Sequence, residues 1–182
     1  HQYGIHAGEL SATPPYQRIL VPLDGSQRAE NVLPVITQLA RFHKSQVHLV
    51  QVVQTPEMAR QMPAANEDID LANRVVARNR EEAGRYLEQM MSRSYLQNIA
   101  VQIHLIDSEN VAVALHQLAE QENIDMVVMS AHGYSGIHQW PYGSIVNNFI
   151  VYGKVPLLIV QDLPKKQELL PADAQSSERA ER

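Results

Sequence analysis

Gly133, Gly143 and Ser144 are the residues of this 182-residue chain whose types and spacing first suggest chemistry. They fall within "MVVMSAHGYSGIHQWPYGSIVNNFI", Met126 to Ile150. A short apolar run ends at Ser130, Gly133 follows, and after nine intervening residues Gly143-Ser144 opens a segment with helical spacing. A backbone that must come close to a bulky anion needs glycine, because a Cβ would block the approach. A helix N-terminus adds unpaired N–H groups and the positive end of a dipole, both suited to phosphate. The Ser144 hydroxyl would be a further donor, and Gly133 would let the other wall of the loop fold over the same anion. On spacing alone, ordinary turn-making accounts for these glycines equally well. Rival phosphate motifs are missing: there is no GxGxxG after the first strand and no GxxxxGK[ST] anywhere.

The remaining candidates are single residues. Asp24 follows the first apolar run, where a carboxylate can contact a ligand or brace the turn into a helix, and it lacks the acidic neighbour of a phosphoacceptor site. His132 has the titration range for acid–base work but no visible partner. Trp140 could stack on a base, although a tryptophan just before a helix more often packs. His43, His48, His116 and His138 show no metal-ligand spacing, and Ser26 reads as a helix cap rather than a nucleophile.

These residues must be positioned by regular elements. "RILVPL" (18–23), "QVHLVQVV" (46–53) and "IDMVVMS" (124–130) are apolar runs of the kind buried on both faces of a parallel sheet. "IAVQIHLI" (99–106) alternates and predicts an edge strand with His104 solvated, and "VPLLIVQ" (155–161) predicts a fifth strand. Helical spacing follows Ser26, with Pro34 predicting a kink or a late start. A second helix is expected over about 70–93, with Leu71, Val75, Ala83, Tyr86, Leu87, Met90 and Met91 inward. A third is expected to be capped by Ser108, and a fourth to run over about 144–151. Strands and helices alternate throughout, which predicts an α/β fold with a parallel sheet and helices on both faces. Ligands of such sheets sit at the carboxyl ends of the strands, which selects "PLDGS" and the glycine-bearing loop.

The composition bounds the rest. A charge of -5 disfavours nonspecific nucleic-acid binding, and no apolar run is long enough to span a bilayer. The absence of cysteine excludes disulfides and thiolate chemistry and fits a reducing cytoplasm. Residues 1–16 are expected to be a flexible arm or an expression remnant, 17–162 the domain, and 163–182 a disordered tail.

Three stretches together resemble the universal stress protein family: "YQRILVPLDGS", "QVHLVQVV" and "DMVVMSAHGYSGIHQWPYGSIVNNFIVYGKVPLLIV". The likeness covers roughly residues 16–161. Nucleotide-binding members carry a glycine, two residues, a glycine, nine residues, then Gly-Ser or Gly-Thr. Here Gly133 and Gly143-Ser144 match, whereas Ser130 replaces the first glycine. The turn "DSEN" (107–110) also departs from the glycine-containing turn of many members. The resemblance implies a doubly wound open sheet of five parallel strands in order 3-2-1-4-5. It also implies a homodimer through strand five (Val155–Gln161) and ATP or another adenine nucleotide as ligand, often with magnesium at the phosphates. By position, Pro22, Leu23, Asp24 and Val52 would line the adenine and ribose. Met129, Ser130, Ala131, His132 and Gly133 would form the wall after strand four. Gly143, Ser144, Ile145 and Val146 would cradle the phosphates.

The reading that follows is a cytoplasmic nucleotide-binding regulatory dimer with little or no catalysis and an unknown downstream protein partner. No general base or arginine finger is visible, and no clear metal carboxylate beyond Asp24. The alternative is a nucleotide-free interaction dimer in which Ser130 crowds the ribose. An adenylyltransferase-like enzyme fits less well, since "VPLDGSQ" lacks the extra histidine or lysine such enzymes place there.

Overall fold

A computed structural model describes residues 16–55, 66–93, 96–133 and 142–161. All of the expected arm but Tyr16, most of the excursion after strand two, the tail, and His138 and Trp140 lie outside the described residues. Five strands form one parallel sheet: β1 (Arg18–Pro22), β2 (Gln46–Val53), β3 (Ala100–Asp107), β4 (Met126–Ser130) and β5 (Leu157–Val160). Their order is β3-β2-β1-β4-β5, as the resemblance implied.

The helices are α1 (Gln27–Glu30), α2 (Leu33–His43), α3 (Asn66–Met91), α4 (Val111–Gln121) and α5 (Ser144–Tyr152). Alternate residues of the central strands feed two separate cores. Ile19, Val21, Val47, Leu49 and Val128 meet Leu33 and Ile36 of α2 and Leu87 and Met90 of α3 on one face. Leu20, Val50, Val127 and Met129 meet Leu115 and Leu118 of α4 and Phe149 of α5 on the other. Both faces of β1 are therefore dry, and Ile19, Leu20 and Val21 are each 0% exposed. That explains why its sequence shows no alternation.

Pro34 produces the late start: α1 stops after one turn, and α2 begins with the proline in its first turn, where a missing N–H costs nothing. Ser26 caps α1 as expected, its Oγ accepting from Ala29 N at 3.2 Å. Three expectations need correction. Helix α3 starts at Asn66, and Leu71 and Met91 on it are more than two-fifths exposed, because the buried line runs through Ala72, Ala83, Leu87 and Met90. The cap of α4 is Asn110, whose Oδ1 accepts from Val113 N at 3.1 Å, while Ser108 Oγ accepts from Asn110 N one turn earlier. His104, expected in solvent, is half-buried on edge strand β3, its Nε2 3.0 Å from Nδ1 of the buried His48. The α4 face covers that side of the sheet, so alternation along β3 separates two partly covered faces rather than core from water.

Candidate functional site

The sheet order reverses between β1 and β4, and the crevice at the carboxyl ends of these strands holds the site. After β1, Gly25 adopts φ +80°, a left-handed conformation that glycine takes without strain. This turn brings Ser26 back under Asp24, whose Oδ1 accepts from Ser26 N at 3.0 Å and Ser26 Oγ at 2.6 Å. The Asp24 carboxylate thereby braces the turn with one oxygen and lies over Gly133 with the other. A Cβ at residue 133 would collide with that second oxygen, so any larger residue there must displace the Asp24 carboxylate.

The far wall is fixed by backbone bonds. Ala131 N donates to Val160 O at 2.9 Å, and Gly143 N donates to Ala131 O at 2.8 Å, tying the start of α5 to the exit of β4. Gly143 is the N-cap, with extended φ -68° and ψ 164° and no side-chain cap bond. The helical ladder begins with Asn147 N donating to Gly143 O at 3.0 Å. The amides of Ser144, Ile145 and Val146 thus form the open first turn of α5, the arrangement that attracts anions. Among the described residues, a Cβ at residue 143 would meet Ala131 O at 3.5 Å and His132 Cα at 3.8 Å, an ordinary contact that does not itself demand glycine.

All thirteen residues implied by the family resemblance line one cavity of about 540 Å³, within the range of small-molecule sites. Pro22, Leu23, Asp24 and Val52 line the β1–β2 side. Met129, Ser130, Ala131, His132 and Gly133 line the β4 side, and Gly143, Ser144, Ile145 and Val146 close it along α5. Ser130 is 7% exposed, and its Oγ has no hydrogen-bond partner among the described residues.

The structure adds a wall that the sequence reading left out. Gln54, Glu109, Asn110, Val111 and Leu115 also line the cavity, with Gln54 Nε2 donating to Glu109 O at 3.3 Å. The departure at "DSEN" is therefore a cavity wall. Its available signal was position, since the turn after β3 also lies at the carboxyl end of the sheet. The lining is apolar along the strands and polar at the rim, with Asp24 and Glu109 as its two carboxylates. Such a cavity can hold a flat apolar ring between strand ends and an anion at the first turn of α5.

The model of the universal stress protein family matches residues 15–161. The chain is 22% identical over 156 residues to the universal stress protein MJ0577 of Methanocaldococcus jannaschii, covering 80% of this chain and 95% of that protein. The solved structure of MJ0577 superposes with a TM-score of 0.71, covering 83% of this chain and 99% of that one. A universal stress protein from Archaeoglobus fulgidus in complex with dAMP is 20% identical, with a TM-score of 0.53 over 80% of this chain and 98% of that one. Another, in complex with cAMP, is 20% identical with a TM-score of 0.51 over 81% and 98%. With the five-stranded sheet and the family match over 147 residues, the chain belongs to the universal stress protein family.

Proposed function

We propose that this chain binds an adenine nucleotide, ATP foremost, in the crevice between β1 and β4, and acts as a regulatory stress-response dimer with little or no catalysis. The observation carrying this reading is the convergence of all thirteen residues on one cavity whose floor is the open first turn of α5. The complexes of two relatives with dAMP and cAMP support an adenylate as the ligand class. In this reading the adenine packs between Pro22, Val52 and Met129, and the phosphates reach the amides of Ser144 to Val146. Magnesium at a nucleotide keeps most of its water and takes one or two carboxylates, for which Asp24 and Glu109 on the cavity wall are suited.

The site belongs to a domain spanning 17–162, and the dimer forms through residues 155–161. The second side of β5 has no strand partner among the described residues, and its residues are half-buried. Beside it α5 presents Ile150, Val151 and Tyr152, each more than half exposed. A second copy would cover both. A cytoplasmic setting supplies the nucleotide, and no helix among the described residues is long and apolar enough to cross a membrane.

A nucleotide-free interaction dimer is favoured by one observation, the buried Ser130 hydroxyl where the family motif has glycine. Protein purified without added nucleotide, denatured and analysed by mass spectrometry separates the two. Release of ATP, ADP or AMP near one equivalent supports the first reading. An empty protein that also fails to bind ATP with magnesium supports the second, and Ser130→Gly should then restore binding.

A further inference from the structure

On the α4 face of the sheet, from the start of β2 to the middle of β3, lies a second cluster whose residues do not line the cavity. His48 lies on β2, His104 on β3, and Glu122 is the C-cap of α4. In the β2–β3 register His48 faces Gln102 and Val50 faces His104, so the two imidazoles sit two positions apart on the same face. One ligand atom from each of the three residues lies within 4.8 Å of the others. We propose that His48, His104 and Glu122 form a binding site for one divalent transition-metal ion, Zn²⁺ being the best fit.

The geometry is close to what such an ion needs. His48 Nδ1 and His104 Nε2 are 3.0 Å apart, with ring planes 11° apart and centroids 5.2 Å apart. The two nitrogens are at hydrogen-bond distance, one donating to the other according to tautomer. Two imidazole nitrogens on a tetrahedral zinc lie about 3.3 Å apart, given Zn–N bonds of about 2.0–2.1 Å. A small turn of the half-buried His104 converts the hydrogen-bonded pair into a chelating pair. Two imidazoles and a carboxylate suit zinc, whereas magnesium and calcium take oxygen ligands. Three protein ligands also leave a fourth position for water.

Two carboxylates, Glu122 and Asp125, act on His48 alongside the Arg18 guanidinium and the His104 imidazole. Asp125 is itself held by the amides of Gln17 and Arg18. Packing alone does not explain the choice of histidine. His48 is 1% exposed on the face of Leu20 and Val50, and its Nε2 has no hydrogen-bond partner among the described residues. An aliphatic side chain there would avoid that unmade bond.

The test uses the full chain, stripped with a chelator and free of nucleotide, titrated with Co²⁺ and then Zn²⁺. The site predicts one equivalent of Co²⁺ with the intense visible bands of a tetrahedral ion, displaced by Zn²⁺. His104→Gln should weaken binding more than about 100-fold, beyond the usual loss of an outer partner. Glu122→Gln should weaken it by roughly 10-fold or more. Gly143→Val, on the cavity wall, should bind Co²⁺ like the parent. Absence of the bands overturns the proposal. So does binding that survives both the His104 and Glu122 changes, which would mark adventitious ligation by other histidines. Circular dichroism checks folding, and if His104→Gln does not fold, Glu122→Gln decides alone.

Discussion

The two sites proposed on this sheet would recruit ligand groups in different ways. At the carboxyl ends the groups are mostly backbone: the open turn of α5, the close approach at Gly133, and the tie from Gly143 to Ala131. On the α4 face they are side chains brought together by strand register, with His48 and His104 separated by 56 residues in sequence. A backbone site needs glycine at fixed spacing, so it leaves a local mark. A register-built site leaves none, because each histidine is unremarkable within its own strand. The difference also predicts how each site breaks.

The largest effect should come from Gly143→Val. If the nucleotide reading is right, the side chain fills the phosphate position and ATP affinity falls by more than about 100-fold, roughly 3 kcal/mol. The melting temperature should barely move, since the described residues leave a Cβ room at ordinary contact distance. Calorimetry and a thermal melt read both, and unchanged affinity would detach the glycine motif from binding.

Gly133→Ala should act on fold and ligand together. Its Cβ displaces the Asp24 carboxylate, which also holds the Ser26 turn. Stability should fall by about 1–2 kcal/mol, the scale of a lost charged hydrogen bond, with weaker ATP binding. The double variant with Asp24→Ala should cost less than the sum of the two single changes, because both remove one contact. Strict additivity in denaturant melts would mean the two loops are independent.

The histidine pair should respond to pH. Burial lowers the pKa of both His48 and His104 below 6.5. In that window the unfolded chain binds more protons than the folded one, so stability rises with pH. It should be complete above about pH 6.5 and decline as acid approaches the folded values. Urea melts of metal-free protein between pH 5 and 7.5 should show this slope, and His104→Gln should flatten it. A slope identical in the variant would place the titration elsewhere.

The smallest effect separates two caps. Asn110→Ala should cost about 1 kcal/mol, the usual value of a lost N-cap, and Ser108→Ala less. Equal losses would mean that the two residues cap α4 jointly.

These contrasts explain what was legible. Continuous apolar strands announced a sheet covered on both faces, and the segment after Ser130 announced where its crevice lies, because both signals are local. The start of α4 was misplaced because Ser108 and Asn110 are both cap formers, and only the register of the buried face of α4 decides between them. The start of α3 was missed because its first turn is wholly exposed, so no apolar period marks it. The cavity wall at Gln54 and Glu109 was missed because it depends on the turn after β3 crossing beside β2, a tertiary contact. His104 was misjudged because alternation reveals that a strand has two unlike faces, not what covers each.

The central place of β1 has a consequence for synthesis. When it is made, one of its two neighbours, β4, is still far from being translated: Gln17 and its partner Asp125 are 108 residues apart. At about 5–20 residues per second, the interval between them is on the order of 5–20 s. Through that time β1 and β2 can pair, but one side of a strand whose central residues Ile19, Leu20 and Val21 end up fully buried has no native partner. Slow translation between these two segments would lengthen that exposure. Aggregation during expression should therefore track the pace of ribosomes across the middle of the message more than the stability of the finished domain.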